Sequence, residues 1–182
     1  SGRSSEIAAD AVALALPAYD AAAATAHLDA SASDALFAIP YAPVAIVHLG
    51  FAREDVVHPL DGFGYLVPPM EGRPLLGTLF PSSIFPGRAP DGSVLLTAMA
   101  GGAVRPELVS LSDTDLAEQA LAELRGTLGL RGAPRMVRVV RHDRAIPQYT
   151  LGHRDRVAAT LAAAQRLPGL FFAGNALSGI SF

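Results

Sequence analysis

The middle of the chain is constrained by short apolar runs that alternate with glycine- and proline-rich segments. Three of these runs are "DGFGYLVPP" (residues 61–69), "RPLLGTLF" (73–80) and "GSVLLTAMAGG" (92–102), and "PSSIFPGRAPDG" lies between the last two. Short strands about a dozen residues apart and bounded by turn residues are typical of an antiparallel sheet. The sequence therefore predicts an antiparallel sheet in this region.

A different kind of strand is predicted near the ends of the chain. "ADAVALALPA" (residues 9–18) is a continuous apolar run closed by Pro17, which is typical of a strand buried on both faces of a parallel sheet. "PVAIVHLGF" (43–51) predicts a second such strand, and "LPGLFFAGN" (167–175) predicts a return to this type. The ends thus indicate one sheet and the middle another, as if one domain were inserted into the other.

The clearest helix signal is "SLSDTDLAEQALAELRGTLGL" (residues 110–130). Ser112 can cap its start, Asp113 and Asp115 lie in the first turn, and Gly129 can end it. One apolar face contains Leu116, Ala120, Leu121, Leu124 and Leu128. We expect this helix to cover the sheet.

Two further elements are predicted after this helix. Residues 134–143 alternate in the manner of a strand, and residues 154–167 predict a second helix. Residues 21–35 are rich in alanine and predict no definite element. The chain is therefore expected to be a mixed α and β fold.

Composition excludes several classes of protein. Hydrophobic residues make up 51% of the 182 residues and charged ones 17%, which favours a folded core. The net charge is -3 and the fourteen cations, all arginines, are scattered, so no nucleic-acid partner is expected. There is no cysteine, and no two of the five histidines have the helical spacing of metal ligands, so no metal site is expected.

The sequence also lacks the signals of secretion and of a membrane span. The first ten residues carry acid where a signal peptide has a basic and then apolar run, and no stretch approaches eighteen uninterrupted apolar residues. We therefore expect a cytoplasmic protein that is soluble or peripheral to the cytoplasmic membrane.

No motif in the sequence identifies catalytic chemistry by itself. GxSxG, P-loop and GxGxxG patterns are absent. His48 lies in an apolar strand and is interpreted as a packed or hydrogen-bonded core residue. His142 and Asp143 are a poor acid/base pair, because adjacent strand residues point to opposite faces. No catalytic residue is assigned, and the residues alone indicate an α/β domain without a specific function.

Four stretches together resemble the protoporphyrinogen oxidase family, oxygen-dependent FAD enzymes of haem biosynthesis within the flavin amine oxidase superfamily. They are "DGFGYLVP", "LLGTLFPSSIFPGRAPDGSVLLTAMAGG", "RAIPQYTLGHRDRV" and "LPGLFFAGNALSGISF". The resemblance runs from about Ile7 to the end, and the FPGRAP and IPQYTLGH segments are specific to this branch.

The resemblance implies an α/β (α+β) fold in which part of a dinucleotide-binding parallel sheet carries an inserted mixed or antiparallel substrate domain covered by helices. Residues 1–20 would give a strand of the FAD-binding domain, residues 38–140 the substrate-binding domain, and residues 141–182 the return to the FAD-binding domain. Family members are far longer and begin with a glycine-rich FAD fingerprint. The chain is therefore expected to be a C-terminal fragment that is inactive and binds FAD weakly by itself.

The resemblance also implies two groups of site residues. Apolar side chains that would hold the tetrapyrrole are Phe63, Leu66, Leu79 and Met99. Cofactor contacts would come from His142, Gly174, Asn175, Ile180, Ser181 and Phe182. His142 departs from the family, which often has tryptophan there. Glycine at 174 would let backbone approach the flavin.

The implied activity is FAD-dependent oxidation of protoporphyrinogen IX, or of coproporphyrinogen III, to the porphyrin with molecular oxygen. Peripheral membrane association and a homodimer are left open. Two alternatives remain: another flavin amine oxidase relative, such as a carotenoid desaturase or an amine oxidase, or a non-catalytic porphyrin-binding or degenerate module.

Overall fold

The computed structural model describes residues 5–179, and its close contacts divide the chain into two units. One unit comprises Ala42–Ile146, and the other comprises Ser1–Tyr41 together with Pro147–Phe182. The assignment of these regions to a substrate domain and a flavin domain stays a prediction.

The first unit is built on a five-stranded sheet. In spatial order its strands are β3 (Gly64–Leu66), β4 (Leu75–Leu79), β5 (Ser93–Gly101), β2 (Tyr41–Ala52) and β6 (Met136–Pro147). The pairs β3/β4 and β4/β5 are antiparallel, as the sequence predicts. The pair β5/β2 is antiparallel as well, so the prediction of residues 43–51 as a strand of a parallel sheet is wrong. β6 also runs opposite to β2, because Arg135 N donates to Gly50 O at one end and Gln148 N to Pro40 O at the other.

Helix α4 (Asp113–Leu128) packs on one face of this sheet, and its predicted caps are confirmed. Ser112 Oγ accepts a hydrogen bond of 3.1 Å from Asp115 N, and Gly129 ends the helix with a φ of 63°. The buried helix residues Leu116, Ala117, Ala120, Leu124 and Leu128 join the main hydrophobic core. On the sheet side this core includes Val47, Leu49, Phe51, Leu96 and Ala98.

The second unit contains a two-stranded parallel sheet and three helices within the described residues. β1 (Val12–Leu14) pairs with β7 (Leu170–Phe172), with Val12 opposite Leu170. The helices are α1 (Ala18–Thr25), α2 (Ala30–Phe37) and α5 (His153–Arg166). A small core of Ala18, Ala21, Ala22, Leu36, Ile39 and Ala176 holds this unit together.

The prediction of strands buried on both faces is wrong at all three positions. β1 and β7 are three residues each, and Val12 and Phe171 remain 49% and 58% exposed, because their sheet has two strands within the described residues. Burial in β2 largely alternates, because α4 covers one face of its sheet and leaves the other open.

The alanine-rich segment, for which no element was predicted, forms α1 and α2. Asp29 caps α2 by accepting a hydrogen bond of 3.0 Å from Ala32 N, and Arg166 at the end of α5 pairs with its other carboxylate oxygen at 2.7 Å. The "PSSI" part of the loop between β4 and β5 forms one further short helix, α3 (Pro81–Ile84). None of the helices in residues 5–179 combines the length and apolar character that a membrane span requires.

Candidate functional site

The face of the five-stranded sheet opposite α4 carries most of the predicted substrate residues. Directly paired residues of an antiparallel sheet point to the same side. Leu66 pairs with Gly77, and Gly77 pairs with Met99. Leu79 pairs with Thr97, which pairs with His48. We call the surface formed by Leu66, Leu79, Thr97, Met99 and His48 the open face.

The orientation of the open face follows from its neighbours in sequence. Tyr65 and Thr78, which flank open-face positions, turn toward α4, and Tyr65 Oη lies 3.1 Å from Thr127 Oγ1 on that helix. Successive strand residues point to opposite faces. Leu66 and Leu79 therefore point away from α4.

The open face exposes large apolar side chains. Leu66 is 77% exposed and Leu79 is 38% exposed, whereas Met99 is half-buried. Phe63 is 74% exposed and precedes β3 at the same end of the sheet as Leu79, where its carbonyl oxygen accepts a 2.9 Å hydrogen bond from Phe80 N. The structure thus brings Leu66, Leu79 and Met99 onto one surface, with Phe63 at its end.

Gly77 permits the close approach of Leu66 to the middle of this surface. A Cβ atom at position 77 would lie 2.4 Å from Tyr65 O and 3.1 Å from Leu66 Cδ2. Any side chain there would push β3 away from β4. Gly77 was not among the predicted site residues, although a glycine inside the strand "LLGTLF" is a signal of close backbone approach.

His48 lies on the open face instead of in the core. Its Nδ1 atom is 3.0 Å from Thr97 Oγ1, so the predicted hydrogen bond is confirmed. Its core location is wrong, because strand alternation puts Val47 and Leu49 into the core and His48 on the other side. Burial, and secondly the charge of Arg138, lower the pKa of His48.

His142 lies on β6 and is exposed. Its neighbour Arg141 turns toward the start of α4, where its guanidinium donates to Val109 O at 2.9 Å and Leu111 O at 2.6 Å and pairs with Asp113. Alternation therefore directs His142 to the side of the open face. Asp143 is directed oppositely, as the sequence analysis expected.

In the second unit, Gly174 and Asn175 form a turn directly after β7. Gly174 has a φ of 123°, and a Cβ atom built on it meets no atom of residues 5–179 within 4 Å. Tyr149 Oη lies 2.5 Å from Asn175 O and 2.6 Å from Gly179 O, and its single proton can serve one of them at a time. Tyr149 therefore holds the backbone of this turn from one side. Ile180, Ser181 and Phe182 lie outside the described residues.

The stacked pair Tyr149 and His153 was missed by the sequence analysis. Their rings are 4.0 Å apart and inclined by 13°. His153 is 8% exposed, and neither ring nitrogen has a hydrogen-bond partner within the described residues. The two residues are four positions apart in "IPQYTLGH", and this spacing is the one sign of the stacked pair in the sequence. The spacing predicts a contact only if α5 is known to begin at His153.

Comparison with known proteins gives one family match. The sequence model of the family described as flavin containing amine oxidoreductase matches residues 1–181. The mitochondrial protoporphyrinogen oxidase of Nicotiana tabacum is 40% identical over 146 residues, covering 79% of this chain and 29% of that protein. The chloroplastic protoporphyrinogen oxidase of the same plant is 37% identical over 180 residues, covering 93% and 33%.

A third curated relative is the coproporphyrinogen III oxidase of Bacillus subtilis (strain 168), which is 30% identical over 138 residues, covering 75% of this chain and 29% of that protein. The chain spans about one third of the length of these curated relatives.

Two solved structures share the fold. A candidate protoporphyrinogen oxidase from Exiguobacterium sp. 255-15 superposes with a TM-score of 0.71 at 24% identity, over 95% of this chain and 38% of that one. Cyclohexylamine oxidase from Brevibacterium oxydans IH-35A gives 0.57 at 15% identity, over 91% and 37%. At these identities the likeness concerns the fold alone.

Proposed function

This chain belongs to the family of flavin-containing amine oxidoreductases, and we propose that it serves FAD-dependent oxidation of protoporphyrinogen IX, or of coproporphyrinogen III, to the porphyrin. Molecular oxygen is the proposed final electron acceptor. In this proposal the open face receives the macrocycle, and the turn at Gly174 and Asn175 contacts the flavin.

One observation carries the proposal: Leu66, Leu79 and Met99 lie together on a sheet face that α4 does not cover. A porphyrinogen is a broad apolar macrocycle, and it needs an apolar surface of several side chains for orientation. Each Å² of apolar surface removed from water contributes about 25 cal/mol. Exposed leucines on a rigid strand pair offer such a surface without the cost of ordering a loop.

Bound FAD would supply the hydride acceptor for oxidation of the macrocycle. The residues of this chain provide positioning, since the chemistry needs the macrocycle held in one orientation more than it needs a strong acid or base. Gly174 and Asn175 offer backbone that a flat ring can approach, and His142 is proposed as a further flavin contact in place of the family's frequent tryptophan.

The alternatives make different demands on the same surface. A small amine would contact only a part of an apolar face of this breadth. The breadth of the face therefore disfavours an amine oxidase that acts on a small amine. A non-catalytic porphyrin-binding module would use the open face equally well, and it differs only in the absence of turnover.

Transfer of the segment into a complete enzyme tests the proposal. The chain would replace the matching segment of the chloroplastic protoporphyrinogen oxidase of Nicotiana tabacum, which is 37% identical and covers 93% of this chain. Flavin absorbance reports assembly, and porphyrin fluorescence reports oxidation of each of the two porphyrinogens. An assembled chimera that retains FAD and oxidises neither porphyrinogen would contradict the proposal.

A further inference from the structure

A cleft of about 510 Å³ opens at the end of the five-stranded sheet beside the FPGRAP loop. Its floor includes Gly50, Leu95 and Met136, and its rim includes Arg88, Asp91 and Arg135. The residues that line the cleft therefore include two arginines and one aspartate beside apolar residues of the sheet.

The cleft floor continues the open face. Gly50 pairs with Leu95, and this pair lies two residues along the strands from the pair of His48 and Thr97. Because a strand rises about 3.4 Å per residue, the two rows are roughly 7 Å apart. Leu79 pairs with Thr97, so the leucine and the cleft floor lie in adjacent rows on the same side of the sheet.

Gly50 makes room for the apolar part of the floor. A Cβ atom at position 50 would lie 3.2 Å from Met136 Cβ, so a larger residue would displace Met136. Met136 thus lies against the backbone of β2 at Gly50 and lines the cleft.

The cleft carries an excess of positive charge. Within residues 5–179, neither Arg88 nor Arg135 makes an ion pair, and Asp91 is the one carboxylate lining the cleft. The Arg88 guanidinium carbon lies 5.5 Å from the centre of the Phe85 ring. This cation–π contact stabilises the position of the guanidinium and leaves its positive charge unpaired.

The loop that carries Arg88 is tied to the sheet. Ser82 Oγ accepts a 3.0 Å hydrogen bond from Leu95 N, and Arg53 N donates to Gly92 O at 2.9 Å. Gly87, next to Arg88, has a φ of 77°, which lets the loop turn back over the strand. The arginine is therefore presented from an ordered turn, and less entropy is lost when a ligand binds it.

We propose that this cleft is a carboxylate subsite, in which Arg88 and Arg135 donate hydrogen bonds to an acid group of a ligand whose apolar body rests on the open face. The inference rests on the proposed function, because both porphyrinogens carry propionate side chains around an apolar ring. If Arg88 of the FPGRAP loop binds a propionate, the loop determines which edge of the macrocycle lies at this end of the sheet.

The test compares two porphyrins that share one ring and differ in whether their two acid groups are ionised or methylated. Mesoporphyrin IX and its uncharged dimethyl ester would be titrated against the full chain, with binding followed by fluorescence. We expect the acid to bind more tightly than the ester. Arg88→Met and Arg135→Met should each reduce this preference by about three- to tenfold. Asp91→Asn should increase the preference.

Arg125→Met is the matched control, since Arg125 is exposed on α4, on the other side of the sheet. Equal acid preference in Arg88→Met, Arg135→Met and Arg125→Met would overturn the carboxylate subsite. Leu79→Ala tests the contact of the macrocycle with the open face independently of the contact of its acid group with the arginines. An unchanged ester affinity in that variant, with acid preference retained, would contradict the placement of the macrocycle on the open face, whereas the contacts of Arg88 and Arg135 with the acid group would stand. Failure of both porphyrins to bind would overturn both.

Discussion

His48 and Thr97 are joined across β2 and β5 by a 3.0 Å contact between Nδ1 and Oγ1, and Thr97 in turn is the cross-strand partner of Leu79. A polar pair and an exposed leucine therefore share one row of the open face. The hydrogen bond fixes the imidazole beside the proposed macrocycle surface.

Leu79→Ala should weaken porphyrin binding with little loss of stability. Removal of apolar contact on one side of the ring should cost roughly 1 to 3 kcal/mol of binding free energy. Leu96→Ala is the control, because Leu96 is fully buried on the other face of the same sheet. That control should lower the free energy of unfolding by about 2 to 5 kcal/mol. Mesoporphyrin dimethyl ester titration and urea unfolding measure the two effects, and similar stability losses without a binding change in Leu79→Ala would place Leu79 in the core.

His48 should make stability depend on pH in a defined direction. Its pKa lies below the ordinary 6.5, so the unfolded chain binds the proton more readily than the folded one. The folded state is therefore favoured above pH 6.5 and loses stability as pH falls through the lowered pKa. Burial is the larger cause of the lowered pKa, and the positive charge of Arg138 is the second.

His48→Asn should remove this part of the pH dependence while keeping a hydrogen-bonding side chain opposite Thr97. Urea unfolding at a series of pH values between about 5 and 8 measures the slope. His27→Asn is the control, since His27 is exposed in the turn between α1 and α2. The same slope in His48→Asn and in the unsubstituted chain would contradict the assignment.

Much of the fold could be predicted because local signals and packing agree. Ser112 and Gly129 delimit α4 as their chemistry requires, and the glycine and proline spacing locates β3, β4 and β5. α1 and α2 were not predicted, because a run of alanines favours a helix but does not show the alternation of apolar and polar residues that identifies its buried face. The cap at Asp29 could have shown where α2 begins.

The open face could not be predicted from residue type. β2 has apolar Ile46 on the same side as His48, so its alternation does not show which side meets α4. Register with β5 and the position of α4 decide this, and both are long-range properties. For the same reason the sequence placed His48 in the core and did not connect Arg88 with Arg135, which are far apart along the chain.

Glu123→Gln should stabilise the protein at neutral pH. The Glu123 side chain on α4 is 6% exposed, and neither carboxylate oxygen has a hydrogen-bond partner of good geometry within the described residues. Burial raises its pKa, although the Leu75 backbone and Arg73, whose Nη1 is 3.7 Å away, oppose the shift. A raised pKa means that the folded state prefers the protonated acid. The ionised form therefore costs stability above the folded pKa, and the cost disappears as pH falls below the ordinary 4.5.

Unfolding free energies of Glu123→Gln at neutral and acidic pH measure this effect. The gain should be present at neutral pH and absent in acid. Glu118→Gln is the matched control, because Glu118 is exposed on the same helix. Equal changes in the two variants would show that the loss of one negative charge, and not burial, is responsible.

The paired strands β1 and β7 should be less protected from hydrogen exchange than β5. Each has three residues and a single strand partner within the described residues, and Val12 and Phe171 are about half exposed. β5 lies between β4 and β2, and its Leu96 is fully buried beneath α4. Amides with few buried neighbours open at a lower free energy than amides of a central strand. Exchange followed by mass spectrometry should therefore label Ala13 and Phe171 well before Leu96, and equal protection of the three amides would mean that β1 and β7 are held by the same cooperative unit as the large sheet.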